Sequence, residues 1–169
     1  MAQQQVDLSR STNYQFVLGT NKELTYSAQN SSIADSTLPQ SPFNVGEKDI
    51  LLPSNKLEFE PLDIQILMSF DLREWIYLYK WQLKLKNSED AFFTEAQECE
   101  LILLDDQNQP TVKFVYHDCY PYVVGRLDYS IQGDSVVVSS DCSFYYTSFT
   151  IVTPTGETIP YDWNGKLEG

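Results

Sequence analysis

His117-Asp118-Cys119 places three ligand-type side chains in a row, and Asp141 with Cys142 repeats two of those types further along. Such a set suits zinc when the ligands converge, but neighbours on a strand point to opposite faces, and zinc sites favour CxxC or HxxxH spacings. The same residues read equally as strand positions with buried thiols, since unpaired cysteine behaves as a small core hydrophobe. His117 is the sole histidine, so no Ser-His or Cys-His pair with an orienting carboxylate is written into the chain. Asp105-Asp106 opens like a calcium loop, yet Gln109 and Pro110 stand where a ligand and a glycine belong, which makes it a hairpin turn. Acidic pairs for glycoside chemistry are neither indicated nor excluded by spacing. There is no GxxxxGK[ST], no GxGxxG and no basic-aromatic strand motif. Catalysis has no positive support, and no cofactor is expected.

The elements that carry these residues are mostly strands. Residues 114–152 run through β-branched and aromatic side chains broken at Pro121 and Gly133-Asp134, rich in sheet-forming surface and poor in chemistry. Strands are expected at Tyr14 to Leu18, Glu23 to Ala28, Asp63 to Met68, Glu100 to Leu104 and Val112 to His117, then as two long runs, Tyr122 to Gln132 and Val136 to Val152. Gln29 to Asn44 reads as an irregular connection with room for a short strand at Ile33. Asp49 to Leu52 and Leu57 to Glu60 flank Pro53-Ser54-Asn55-Lys56, good turn chemistry for a protruding hairpin over about 49–60.

One helix is expected over about 71–86, capped by Ser69 or Asp71, with Glu74 in its first turn and Lys84 and Lys86 in its last. Leu72, Trp75, Ile76, Tyr79 and Leu83 form one apolar stripe, read as the core face. Leu78, Trp81 and Leu85 form a second stripe on nearly the opposite side. That second stripe asks either for a partner subunit or for another layer of the chain's own domain.

The 169 residues suit one domain and carry 24 acidic against 11 basic side chains, a formal charge of −13. An acidic surface of that size disfavours tight nucleic-acid binding, or simply serves solubility. Cys99, Cys119 and Cys142 are odd in number and lack CxxC spacing, as expected of reduced or buried thiols in a cytoplasmic setting. No apolar leader core and no segment of membrane-spanning length is present, so a soluble protein without a signal peptide is expected.

The order of features resembles the tail tube proteins of contractile-tailed bacteriophages over about residues 14–152. Three anchors carry the resemblance. A short strand at Tyr14 to Leu18 leads to a second and then to a polar segment with Leu38-Pro39. A hairpin over Ile50 to Phe59 runs into Asp63 to Met68 and straight into the amphipathic helix. The most specific is the closing rhythm: His117-Asp118-Cys119-Tyr120-Pro121, a Gly-Arg-Leu-Asp-Tyr run, and Ser143-Phe144-Tyr145-Tyr146-Thr147-Ser148-Phe149.

The resemblance implies a mainly β antiparallel sandwich of 1–152, with a flexible arm at 1–12, a flanking helix, an extended hairpin and a C-terminal arm at 153–169. Six copies would form a ring, lend strands to one inner β-barrel and stack into a tube. It implies Leu78, Trp81, Leu85, Leu52, Leu57 and Phe59 at subunit interfaces, and Asp49, Glu58, Glu60 and Asp63 facing an acidic lumen that passes genomic DNA without binding it. Sheath, baseplate and terminator proteins are the implied partners, and a virion tail assembled in the host cytoplasm the implied location. Tyr161 and Trp163 in the C-terminal arm would contact a sheath or an adjacent ring. The same fold serves tube-initiating baseplate rings, tail-terminating rings, bacteriocin tubes and type VI tubes. A carbohydrate-binding β-sandwich using Tyr120 and Tyr122 is the alternative from another class.

Overall fold

The computed structural model describes residues 14–18, 28–33, 35–54, 57–87, 94–131 and 137–159. The chain is mainly antiparallel β with one helix among these residues. Its strands are β1 (Tyr14–Leu18), β2 (Ala28–Ser31), β3 (Ser36–Thr37), β4 (Gln40–Val45), β5 (Lys48–Pro53), β6 (Glu58–Phe59), β7 (Leu62–Leu67), β8 (Gln97–Leu104), β9 (Pro110–Val123), β10 (Ser139–Tyr145), β11 (Ser148–Val152) and β12 (Thr158–Ile159). Helix α1 (Arg73–Lys86) lies between β7 and β8.

Eight strands share one hydrogen-bonded system in the order β1-β8-β9-β10-β7-β2, with β11 joining β9 and β12 joining β11. The long β9 is the hinge of this system. Asp118 within it has φ 54°, a left-handed conformation that asparagine and aspartate tolerate better than most residues. Before that point β9 pairs with β8 and β11; after it, with β10, apart from one remaining pair with β8, Cys119 opposite Gln97. The kink folds the strands into two facing halves, and Phe16 of β1 meets Phe144 of β10 with ring centroids 6.3 Å apart.

Period-two alternation fills the space between the halves. Leu62, Ile64 and Ile66 of β7 point inward with Cys142 and Phe144 of β10, against Phe16, Leu18, Cys99, Leu101, Tyr116 and Cys119. The three cysteines are thus buried core thiols, and none forms a disulfide. Helix α1 covers this core with Leu78 and Trp81, and Trp81 lies 6.4 Å from Phe144. No described helix is long and apolar enough to cross a membrane.

Several sequence expectations shift. Strand Tyr14–Leu18 falls where expected, while most of the expected strand at Glu23 to Ala28, the turn at Gly133-Asp134 and the tail carrying Tyr161 and Trp163 lie outside the described residues. The run from Tyr122 to Gln132 leaves the sheet after Val123. There Gly125 passes so close to β10 that an added Cβ would sit 2.1 Å from the Asp141 carbonyl oxygen, and its own carbonyl accepts the Trp75 indole N–H at 3.0 Å. The expected strand from Val136 to Val152 begins outside the described residues, and its described part holds two strands, Ser139–Tyr145 and Ser148–Val152, split at Tyr146-Thr147 where the chain crosses from one half to the other. The Thr147 hydroxyl donates to Asp118 Oδ2 at 2.7 Å, tying that crossing to the kink of β9.

The hairpin is longer than expected and starts earlier. Asp49 to Leu52 does not pair with Leu57 to Glu60; it pairs with Gln40–Val45, the segment read as irregular. The loop between them is two residues, with Gly46 first at φ 66°, the glycine-first pattern of a type II′ turn. Pro53-Ser54 is therefore not the hairpin tip: the Ser54 N–H donates to the Pro39 carbonyl at 2.6 Å, part way along the arm.

Candidate assembly surfaces

The arm is the first surface. Its base is β3 paired with β6, closed by Glu60 N–H to the Asp35 carbonyl at 3.0 Å, and its outer part is β4 paired with β5. From Asp35 to the Gly46 turn it can reach roughly 35 Å at strand rise. Every residue of β4 and β5 is exposed. Ser41/Leu52, Phe43/Ile50 and Val45/Lys48 are opposite pairs and so share one face; Pro42/Leu51 and Asn44/Asp49 share the other. A free two-stranded ribbon has little stability of its own, which makes this apolar display a candidate contact surface.

The interface residues named from sequence divide here. Leu52 and Leu57 are exposed on the arm, while Phe59 anchors its base, edge-on to Phe149 at 5.4 Å and tilted on Tyr146 at 6.0 Å. Leu78, Trp81 and Leu85 are corrected: Leu78 and Trp81 are buried in the chain's own core and Leu85 packs against it. The stripe assigned to the core, in turn, opens to solvent at Ile76, Tyr79 and Leu83. Leu72 and Trp75 pack at the margin of the core.

Glu74 explains the inversion. It lies on the stripe of Leu78 and Trp81 and is 1% exposed, a buried carboxylate in the first turn. The helix has no side-chain N-cap: Leu72 occupies that position in a left-handed conformation, φ 53°. Instead Glu74 Oε2 accepts the Ser69 N–H at 2.9 Å, its Oε1 accepts the Ser69 hydroxyl, and Arg73 Nε approaches at 3.4 Å. Burial pushes the Glu74 carboxyl up, but the Ser69 and Arg73 hydrogen bonds outweigh it and hold the group below its ordinary value.

The outer face of β7 and β10 is the second surface. Asp63 and Asp141 are exposed there; Asp63 accepts the Ser143 hydroxyl at 2.5 Å, and Gln65 donates to Ser139 Oγ at 3.3 Å. Strands β2, β7 and β10 carry no lysine or arginine. Of the four acids expected to act together, Asp63 lies on this sheet face and Glu60 beside it, where Asp35, Glu60 and Asp63 line one groove. Asp49 and Glu58 belong to the arm, and Asp49 accepts from Asn44 Nδ2 at 3.1 Å. Asp35 and Asp141 were missed; strand alternation about Cys142 is the signal that marks Asp141 as outward-facing. Among the described residues, β2 has no strand on its far side, so this face ends in an open edge.

The residues first considered for chemistry disperse. Cys119 and Cys142 are buried, and burial pushes the Cys142 thiol up. His117 lies across the other sheet half, Nδ1 3.1 Å from Glu98 Oε1 and Nε2 2.8 Å from Thr150 Oγ1, a row that ties β8, β9 and β11 together. Sequence separation hid that row from inspection. Among the described residues, no three His, Cys, Asp or Glu side chains are grouped to hold a metal ion. Asp105 Oδ1 accepts the N–H groups of Gln107 and Gln109, both at 2.8 Å, as a hairpin turn does.

The same fold of a bent antiparallel sheet, one covering helix and a long arm is found in chains of solved contractile injection machines. A chain in the extended-state sheath and tube terminator of the PVC extracellular contractile injection system is similar, with TM-score 0.68 and 9% identity over 87% of this chain and 98% of that one. Chains in the tube-terminating cap and the six-fold symmetrised baseplate of the anti-feeding prophage match with TM-scores 0.67 and 0.66, at 12% and 13% identity. Each covers 90% of this chain and 99% of the other. No family model matches the sequence, and no curated protein matches it either.

Proposed function

We propose that this chain is a structural subunit of the tube of a contractile tail or related injection particle, and that it carries out no reaction. Six copies close into a ring, each lending β2, β7, β10 and the end of β9 to one inner barrel, and rings stack into a hollow tube. The observation that carries the reading is the end-to-end likeness, over 87–90% of this chain and 98–99% of the others, to chains of a terminator, a cap and a baseplate. Pairing across subunits satisfies the open edge of β2, and the arm reaches a neighbouring copy. The face of Asp63 and Asp141 then lines the lumen, where negative charge keeps a phosphate backbone from sticking while DNA passes on sheath contraction. Sheath, baseplate and terminator proteins are the partners, in a tail assembled in the host cytoplasm.

A second reading, a ring that ends or starts the tube, is favoured by the likeness to the terminator and cap chains. Negative-stain microscopy of concentrated protein separates the two: stacked tubes support the main-tube role, single rings the terminal one. A strictly monomeric species, even when seeded with partner rings, overturns both.

A further inference from the structure

We infer that Gln82 of α1 guards the free edge of β9, occupying acceptors that β2 of a second copy must take over when copies join edge to edge. This rests on the self-assembly proposed above and names the residue that holds it in check.

The sheet half β9-β10-β7-β2 has two ends. At one end β2, Ala28–Ser31, carries neither proline nor charge. At the other, Pro121 and Val123 of β9 pair with β10 and, among the described residues, with no strand on the opposite side. Neighbouring strands throughout this half are antiparallel, so β2 and the end of β9 run in opposite directions. When identical copies close a ring, one edge of each meets the other edge of the next. The joint between β2 and the end of β9 is then antiparallel and continues the alternation.

The β9 edge is not ready for that joint. Pro121 has no N–H to offer, and the register shifts beside it: Val123 stands opposite Ser143 and Pro121 opposite Phe144, so Tyr122 is the extra residue of a bulge. Over this bulge lies Gln82, whose Nε2 donates to the Pro121 carbonyl at 3.3 Å and to the Tyr122 carbonyl at 3.2 Å. Proline, a bulge and a covering element are three ways in which proteins withhold a strand edge from pairing. The first two are fixed in the backbone. The third is one half-buried side chain, free to turn away while Leu78 and Trp81 keep α1 on the core. N–H groups arriving from β2 need the carbonyls that Gln82 holds, so the amide must leave before the strands can zip.

Removing the donor tests this in the full chain. Gln82→Met keeps the length of the side chain and offers no N–H; Gln82→Ala removes the reach altogether. Both are expected to keep the wild-type circular dichroism and to assemble about fivefold faster by light scattering, since a neutral hydrogen bond is a factor of roughly 2–10 in an equilibrium. Amide exchange on assembled wild type gives a readout independent of the variants: peptides covering 28–31 and 121–124 are expected to gain protection together. Wild type that needs seeding with partner rings beside a Gln82→Met chain that assembles alone is the strongest support. If wild type assembles while both variants match its rate, or 121–124 gains no protection, the guard is refuted and the tube reading survives. If wild type and both variants stay monomeric even when seeded, both fall.

Discussion

Replacing Glu74 with glutamine keeps the shape of a buried side chain and removes its charge, which isolates what the carboxylate contributes to the start of α1. In the native protein Glu74 accepts two hydrogen bonds from Ser69, one from the backbone and one from the hydroxyl, with Arg73 close by. Hydrogen bonds to a charged acceptor contribute about 1.5–3 kcal/mol each. Glutamine keeps one acceptor oxygen, so roughly one such bond is lost, together with about 0.3–1 kcal/mol of favourable interaction with the helix dipole. The expected loss is about 2–3 kcal/mol, which for a chain of this size lowers the melting temperature by roughly 4–12 °C. Urea unfolding at a concentration where the protein is monomeric measures it. The pH dependence provides the stricter check. Because the folded-state pKa of Glu74 lies below its ordinary value of 4.5, the folded protein holds the charge where the unfolded chain takes up a proton. The carboxylate's contribution is complete above that ordinary value and is lost as pH falls through the folded value. The gap between wild type and Glu74→Gln should therefore be full at pH 7 and shrink under acid. A gap below about 0.5 kcal/mol at pH 7, or one unchanged at pH 2.5, refutes the role given to Glu74.

The two faces of α1 separate under truncation: Leu78→Ala should cost about 2–5 kcal/mol in unfolding experiments, whereas Leu83→Ala should stay within about 0.5 kcal/mol of wild type as a monomer. Gly125→Ala places a Cβ against the Asp141 backbone, so a loss of more than about 2 kcal/mol by thermal melting is expected. Gly46→Ala meets no neighbouring atom but must hold φ 66°; the expected result is faster amide exchange confined to β4 and β5, with the global melting temperature nearly unchanged. Tyr146 is pushed up to about 12, chiefly by burial, with the Cys119 thiol and the Glu60 carboxylate adding to it. Its phenol should stay protonated at pH 11, where exposed tyrosines have ionised, and the difference in ultraviolet titration between wild type and Tyr146→Phe reads this directly.

Strand positions were legible wherever one face is buried and the other wet, because alternation then writes itself into the chain. Tyr14–Leu18 and Leu62–Leu67 are such cases, with buried and open positions alternating. The expectation failed where backbone geometry decides. No propensity distinguishes Asp118 as the kink that splits β9 between two sheet halves, and Gly125 leaves the sheet to approach β10 rather than to make a turn. The arm failed for a related reason: Pro53-Ser54-Asn55-Lys56 has stronger turn composition than Gly46-Glu47, yet the shorter loop matches the twist of the ribbon and sets the register.

The helix gives the more general lesson about the candidate surfaces. Five apolar residues on one stripe against three on the other favoured the wrong side, because a first-turn acid reads as a surface residue. Burial is decided by satisfaction as well as by hydropathy: a carboxylate with two Ser69 donors and a nearby guanidinium can go inside, whereas Lys80 in the middle of the richer stripe stays exposed. Ser69, five residues before Glu74, was therefore the signal, read as a cap when it serves as the donor that lets the acid go in. Once Glu74 is inside, Leu78 and Trp81 follow it by helical spacing, and Trp81 secures its indole N–H on the Glu95 carbonyl at 2.7 Å. Ile76, Tyr79 and Leu83 are then left outside with the lysines. The basic, apolar outer face of α1 is thus a consequence of how one acid is buried, so changes on the lysine side of the helix should leave the fold intact where changes on the tryptophan side should not.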